Sequence, residues 1–554
     1  MTTGAAPLLK VRNLRIALPA AGDRLFAVDG LSFDVHPNEI VCLVGESGSG
    51  KSMTAHAILG LLPPQVRIDA GSEIVCDGTD LLQLGEQGLQ QWRGNRIGMV
   101  FQEPMSALNP LQRIGAQIAE ALILHARTLG AEQVRQRVLA SLAAVGLPEP
   151  ERICRAYPFQ LSGGQRQRVM IAMALINQPR VLLADEPTTA LDVTTQKQIL
   201  DLIRRLQRER HMGVLFITHD IGVVADIADR VIVMRQGCAV EAGTRDEVML
   251  KPRAEYTRAL IDALPGRRPA TQDEAGGSRE VLLQIRGLSK RFVTGGSLWS
   301  PAREVAAACD IDLDVREGET VAIVGESGSG KSTLGRMIMR LVEPDQGEIL
   351  FAGRDILKLP RRDLANFRRD AQLIFQDPFS SLNPRQKVGE AIARGLIIHG
   401  EAPKAARNRA RLLLDRVGLG AWAAERFPHE FSGGQRQRVS IARALALQPR
   451  LLIADEAVSA LDVSIQAQIL HLLGDLKREF NLTLLFITHD LRVAGEIADR
   501  VVVMSQGRIV ETGTPAEVLG APRHPYTRQL VSAVAGTDFL GQLAQDRAYI
   551  EALA

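Results

Sequence analysis

Gly45-Glu46-Ser47-Gly48-Ser49-Gly50-Lys51-Ser52 recurs without a change as Gly325-Glu326-Ser327-Gly328-Ser329-Gly330-Lys331-Ser332, so the chain carries two phosphate-binding loops. The glycines let a backbone wrap phosphate oxygens without Cβ clashes and leave N–H groups free to face the anion. Lys51 and Lys331 supply a positive charge that reaches the β- and γ-phosphates, and Ser52 and Ser332 supply a hydroxyl suited to Mg²⁺. The preceding runs, Glu39 to Val44 and Glu319 to Val324, are short, apolar and β-rich, which predicts a buried strand feeding each loop. Helical residues follow both. One such octapeptide marks many kinases and GTPases. Two identical copies in strand-to-helix context predict an α/β nucleotide-binding fold written twice.

At 554 residues the chain exceeds what one hydrophobic core supports, and the duplication sets two similar halves. Apolar content of 46% with 23% charged residues is that of a soluble globular protein. Lys+Arg 66 against Asp+Glu 63 leaves a net charge of +3, so no bulk electrostatic argument favours nucleic acid or an anionic membrane. The five cysteines, Cys42, Cys76, Cys154, Cys238 and Cys309, form no CxxC pair, which argues against zinc and a disulfide scaffold and for a reducing compartment. Met1 to Leu9 lacks a basic region followed by an apolar stretch and does not read as a secretion signal. No run of about 18 apolar residues occurs, and stretches such as Ser52 to Val66 are broken by prolines. Work at a membrane would require other subunits.

Matched landmarks show how faithful the repeat is. Lys51 to Lys331 is 280 residues, Gln102 to Gln376 is 274, and Ser162 to Ser432, Glu186 to Glu456 and His219 to His489 are each 270. Two small indels therefore separate the halves. One falls in the Pro-rich turn and strands after each loop. The other falls between Gln102 and Ser162, where about Ile114 to Gly146 and Val388 to Gly418 have helical periodicity and predict a helical insert. The segment 265–279 (PGRRPATQDEAGGSR) has the composition of an exposed linker.

Val181 to Glu186 (VLLADE) and Leu451 to Glu456 (LLIADE) are apolar strands ending in adjacent carboxylates. Neighbouring side chains on a strand face opposite ways, so each pair divides two tasks. Asp185 and Asp455 suit the Mg²⁺ shell, and Glu186 and Glu456 suit polarising an attacking water. Leu161-Ser162-Gly163-Gly164-Gln165 and Phe431-Ser432-Gly433-Gly434-Gln435 each precede an Arg-rich amphipathic helix, with Ser162 and Ser432 placed as N-caps whose helix ends can face an anion.

With loop, carboxylate strand and Ser-Gly-Gly-Gln segment in this order, the chain resembles the ATP-binding-cassette (ABC) ATPases over nearly all of both halves. The resemblance implies two tandem cassettes, each a RecA-like core with an antiparallel β subdomain and a helical subdomain, covering 1–250 and 280–520. It implies ATP and Mg²⁺ as cofactors, with Gly45, Ser47, Gly48, Gly50, Lys51, Ser52 and Gly325, Ser327, Gly328, Gly330, Lys331, Ser332 around the phosphates. Gln102 and Gln376 match the Q-loop that senses Mg²⁺ and γ-phosphate. His219 and His489, in the identical runs Phe216 to Asp220 and Phe486 to Asp490, match the switch histidine. Ala190-Leu191-Asp192 and Ala460-Leu461-Asp462 match the D-loop. In this family a nucleotide lies between the loop of one cassette and the signature of the other, which implies that Lys51 shares its nucleotide with Ser432, Gly434 and Gln435, and Lys331 with Ser162, Gly164 and Gln165. Asp185, Asp455, Glu186 and Glu456 complete two intact sites. The adenine-stacking aromatic is matched by Phe292, but the aligned position in the first half is Leu18; either Phe26 substitutes or that adenine stacks poorly. Ala457 stands where the first half has Pro187.

Beyond each cassette, at 251–279 and 521–554, lies a second repeat: Pro252 to Arg258 and Pro522 to Arg528, each leading into an apolar helical run. These, with Phe-Gln-(Glu/Asp)-Pro and Ser-x-Leu-Asn-Pro at Phe101 to Pro110 and Phe375 to Pro384, are similar to the oligopeptide, dipeptide and nickel importer subfamily. The fused layout is similar to peptide, microcin C and glutathione importer ATPases. That likeness implies peptide uptake, or uptake of nickel or glutathione by the same machinery. Its implied partners are two transmembrane permease subunits and an extracytoplasmic solute-binding protein, without nucleic acid. The chain would then sit peripherally at the cytoplasmic face of the inner membrane. Some relatives carry an iron–sulfur cluster after the tail; no cysteine lies between Cys238 and Cys309, and none is expected here. A twin-cassette translation factor would carry a long charged helical linker, and a DNA-repair ATPase zinc cysteines or coiled coils, neither of which the sequence holds.

Overall fold

A computed structural model describes residues 6–19, 24–189, 191–264, 280–294, 303–377, 381–459, 461–537, 539 and 541. The linker 265–279 and Ala190 and Ala460 of the two D-loop segments lie outside them. The chain divides into two compact units; of the described residues the first takes 6–191, 195–264 and those from 535 on, and the second 192–194 and 280–534.

In the first unit the all-apolar strand Ile40–Val44 is fully buried, which suits the interior of a mostly parallel sheet covered on both faces. The sheet order is Cys238–Thr244, Arg230–Arg235, Ile40–Val44, Gly213–Thr218, Val181–Asp185, Ile97–Val100; all neighbours are parallel except the first pair. A second, antiparallel sheet carries Leu9–Ala17 between Phe26–Val35 and Glu73–Cys76. One core joins the two sheets: Leu9, Val11 and Leu14 from the antiparallel sheet pack with Leu43, Leu183 and Leu215 from the parallel one. The helix Lys51–Ile58 buries Ala55 and Ile58 in that same core, which fixes the phosphate loop at its N-terminus.

The second unit repeats this plan. Its parallel sheet runs Ala371–Ile374, Leu451–Asp455, Thr483–Ile487, Thr320–Val324, Arg500–Ser505, with Arg508–Gly513 antiparallel at the edge. Its antiparallel sheet is built on the long strands Val281–Thr294 and Arg303–Arg316. The helical inserts appear as Ile114–Ile123 with Ala131–Ala144, and Val388–Ile398 with Pro403–Arg416. In the second unit, Val388, Ile392 and Leu414 of the insert share a core with Phe431, Val439 and Leu484. The extra length after the first loop is used for a short strand, Arg67–Ile68, that pairs with Leu9–Ala17. No helix among the described residues is long and apolar enough to cross a membrane.

Candidate active site

Register brings the site together. Val44 lies level with Thr218, Asp185 with Ile217, and Val100 with Ala184, so four strands end at one edge of the sheet. The loop, His219, the Asp185–Glu186 pair and Gln102 follow directly from those ends, at the carboxyl edge where open α/β sheets bind ligands. In the second unit Ile323 and Asp455 flank Ile487 in the same way.

Two glycine positions show why the loop sequence is fixed. At Gly50 and Gly330 φ is 103°, and a Cβ would stand 2.4 Å from the Ala27 carbonyl oxygen and 2.1 Å from that of Ala307. At Gly45 and Gly325 a Cβ would meet the carbonyl oxygens of Met234 and Met504 at 2.2 Å, so the loop is pressed onto the neighbouring strand end. Inside the turn, Lys51 Nζ donates to the carbonyls of Gly45 and Glu46 at 2.7 and 2.8 Å, and Lys331 Nζ makes the same pair of bonds at the same lengths. Burial pushes the Lys331 ammonium below its ordinary value, against the raising charges of Glu456 and Asp455.

Ser52 Oγ donates to Asp185 Oδ1 at 3.0 Å, and Ser332 Oγ to Asp455 Oδ1 at 2.8 Å. Burial raises both aspartates above the ordinary carboxylate value, although the serine hydroxyls oppose it. The adjacent glutamates behave in the opposite sense. Burial disfavours their ionisation too, but the hydrogen bonds and charge of His219 and His489, with help from Lys51 and Lys331, outweigh it and hold Glu186 and Glu456 below the ordinary value. Glu186 Oε1 lies 3.0 Å from His219 Nδ1 and Glu456 Oε1 3.5 Å from His489 Nδ1. Gln102 Nε2 donates to Glu186 Oε2 at 2.8 Å, and Gln376 Nε2 to Glu456 Oε2 at 2.7 Å.

Strand alternation is not what separates the two carboxylates. The strands stop at Asp185 and Asp455, and the glutamates adopt left-handed backbone with φ 44° and 48°. A residue with a Cβ pays for that conformation, and such strain gathers at functional sites. Thr189 also serves the first glutamate, its hydroxyl donating to Glu186 Oε2 at 3.0 Å, whereas Ser459 donates to the Glu456 carbonyl. The shared three-residue spacing from the glutamate was the available sequence signal for this pair of hydroxyls.

Ser162 and Ser432 are N-caps as expected, accepting from Gln165 N at 3.3 Å and Gln435 N at 3.4 Å, while the glutamine side chains return to the serine amides. Among the described residues these bonds stay within their own helix starts. Phe26 lines a cavity of ≈590 Å³ together with Ser47, Gly48, Ser49 and Tyr256, and Leu18 is not among its walls. Phe292 is exposed, with the Lys290 ammonium 5.6 Å from its ring centre.

A parallel sheet that collects a phosphate loop, a paired carboxylate and a histidine at one edge, twice over, defines a nucleotide-hydrolysing machine of the phosphate-loop class. The ABC transporter family profile matches residues 28–189 and 309–459, and the profile of the oligopeptide/dipeptide transporter C-terminal region matches 240–293 and 510–547. The chain belongs to the ABC transporter family, as an ATP-binding protein of the oligopeptide/dipeptide importer type, and is an ATPase. It is 48% identical over 534 residues to the peptidoglycan transport ATP-binding protein YejF of Agrobacterium fabrum, covering 96% of this chain and 97% of that one. It is 48% identical over 565 residues to the glutathione import ATP-binding protein GsiA of Escherichia coli strain K12, covering 96% and 90%. Among solved structures, CbiO1 of Clostridium perfringens, part of the transporter complex CbiONQ, is 27% identical with a TM-score of 0.40, covering 48% of this chain and 99% of that one.

Proposed function

We propose that this chain powers uptake of peptides or peptide-like substrates by hydrolysing ATP at two sites, each completed by both cassettes. The observation that carries the reading is the duplicated grip on Glu186 and Glu456, each bonded by a histidine on one oxygen and by the Q-loop glutamine on the other. A carboxylate so held stays ionised, ready to accept a proton from the attacking water. His219 and His489 would contact the γ-phosphate of bound ATP. Lys51 and Lys331, with the loop N–H groups, hold the β- and γ-phosphates. Ser52, Asp185 and Gln102, and in the second unit Ser332, Asp455 and Gln376, offer hard oxygen donors and would hold Mg²⁺. The metal's contribution when bound is to neutralise charge on the phosphate oxygens.

In this reading Lys51 pairs with Ser432, Gly434 and Gln435, and Lys331 with Ser162, Gly164 and Gln165. Phe292 stacks on one adenine and Phe26 serves the other. Photolabelling with an azido-ATP analogue tests the pairing. Ser432→Arg is expected to abolish labelling at the Lys51 loop, and labelling left intact there would overturn it. The substrate class draws on the tail-region match and on the two relatives, whose names specify peptidoglycan transport and glutathione import. Glutathione, itself a tripeptide, falls within the same class. Two permease subunits and a solute-binding protein are the implied partners, holding the chain at the cytoplasmic face of the membrane. Reconstitution with them is expected to give peptide-stimulated ATP turnover, and turnover indifferent to any peptide would remove that substrate class.

A further inference from the structure

Each tail segment reaches back to a phosphate loop through a tyrosine hydroxyl. In the first unit the carboxylate of Glu241 accepts from the amides of Arg253 and Ala254 at 2.8 and 3.1 Å, which fixes the start of the helix Glu255–Asp262. In its first turn Tyr256 turns its hydroxyl to the loop and accepts from the Glu46 amide at 3.4 Å. The second unit repeats every step: Glu511 accepts from Arg523 and His524 at 2.8 and 3.0 Å, and Tyr526 Oη accepts from the Glu326 amide at 3.0 Å. Each hydroxyl meets a residue whose carbonyl already receives the loop lysine, Lys51 to Glu46 and Lys331 to Glu326, both at 2.8 Å. Loop residue two is therefore clamped from both sides, its carbonyl by the lysine and its amide by the tail. In the first unit the Tyr256 ring is itself held under the Arg235 guanidinium, 4.8 Å from its centre, one residue beyond the Met234 carbonyl on which Gly45 is pressed.

We propose that Tyr256 and Tyr526 are positioning residues for the phosphate loops, so that docking of each tail segment sets how well its loop is shaped for the nucleotide phosphates. A phenylalanine would fill the same space, so packing alone does not account for a hydroxyl aimed at the same loop amide in both units. The proposal rests on the ATP-binding reading of the loops. The Tyr526 bond is shorter and closer to the usual hydrogen-bond length, so its loss counts for more than that of Tyr256.

The test uses the full-length chain, with ATP turnover measured against ATP concentration alongside thermal midpoints. Tyr526→Phe is expected to raise KM for ATP by about two- to tenfold, the worth of one net hydrogen bond, and by more than it lowers kcat. Tyr256→Phe should move KM in the same direction by less. Glu511→Gln, which loosens the start of the tail helix without touching the loop, should also raise KM. If both phenylalanine variants keep the parental KM, or lose only thermal stability, the tyrosines merely pack and the inference is overturned. Lys331→Ala separates the two levels: if it leaves ATP affinity unchanged, the ATP-site reading fails and the inference falls with it.

Discussion

Glu186 and Glu456 owe their aim to backbone torsion. Just past the strand end, a left-handed residue throws its side chain toward the histidine strand, at a cost on the order of 1–3 kcal/mol that the surrounding sheet absorbs. Glutamine keeps the shape and the bond to Gln102 or Gln376 but cannot take a proton. The Glu186→Gln and Glu456→Gln variants should each lower ATP turnover, and the double variant should lower it by about 10²-fold or more while the thermal midpoint holds. Turnover and melting measured together decide this. The serine hydroxyls make a separate claim. Ser52→Ala with Ser332→Ala removes one oxygen donor beside each buried aspartate, so the Mg²⁺ concentration giving half-maximal ATPase should rise several-fold, read from a Mg²⁺ titration at saturating ATP. The residue types and their spacing were legible in the sequence because this chemistry tolerates few side chains. The torsion at Glu186 was not, since alternation along a strand is a local rule and the strand ends one residue too early for it to apply.

At the scale of elements, one carboxylate holds the start of each tail helix. Burial of Glu241 works against its charge, but the Thr257 hydroxyl first, then the amides of Arg253 and Ala254 and the charge of Arg253, prevail and depress its pKa; Glu511 is depressed likewise by Thr527, Arg523 and His524. A carboxyl depressed by folding stabilises the docked helix above the unfolded-state value, and the gain disappears as pH falls through the lower folded-state value. Tail docking should therefore persist through mildly acidic pH and loosen only below the ordinary glutamate range. Proteolysis within 253–262, followed against pH in wild type and Glu241→Gln, checks this: the variant should be cut readily at neutral pH and show no further acid release. The strands, inserts and capped signature helices were legible because each is specified by its own periodicity and caps. The tail's link to the loop was not, because Tyr256 and Glu46 stand 210 residues apart and no local pattern ties them. The short strand Arg67–Ile68 was likewise hidden in a segment distinguished only by its prolines and its length.

At the scale of the molecule, the proposed sites need two cassettes, and the segment 265–279 supplies both on one chain. Pairing of the cassettes is then an intramolecular event, with an effective concentration that no longer depends on dilution. A protease site inserted within 265–279 and then cut should make specific ATPase activity fall on dilution, whereas the uncut chain keeps it; equal behaviour before and after cutting would mean that the tether plays no part. The duplication itself was plain in the sequence, since the landmarks keep a near-constant offset. In each unit the amide of the left-handed glutamate bonds to a carbonyl of the histidine strand, Glu186 to Ile217 and Glu456 to Ile487, both at 2.9 Å. The spacing between proton acceptor and imidazole is thus one rung of a ladder and not the length of a loop. Insertions that swell the periphery leave that rung untouched, so descendants of this chain are free to acquire new cargo and new docking partners without retuning the reaction they run on.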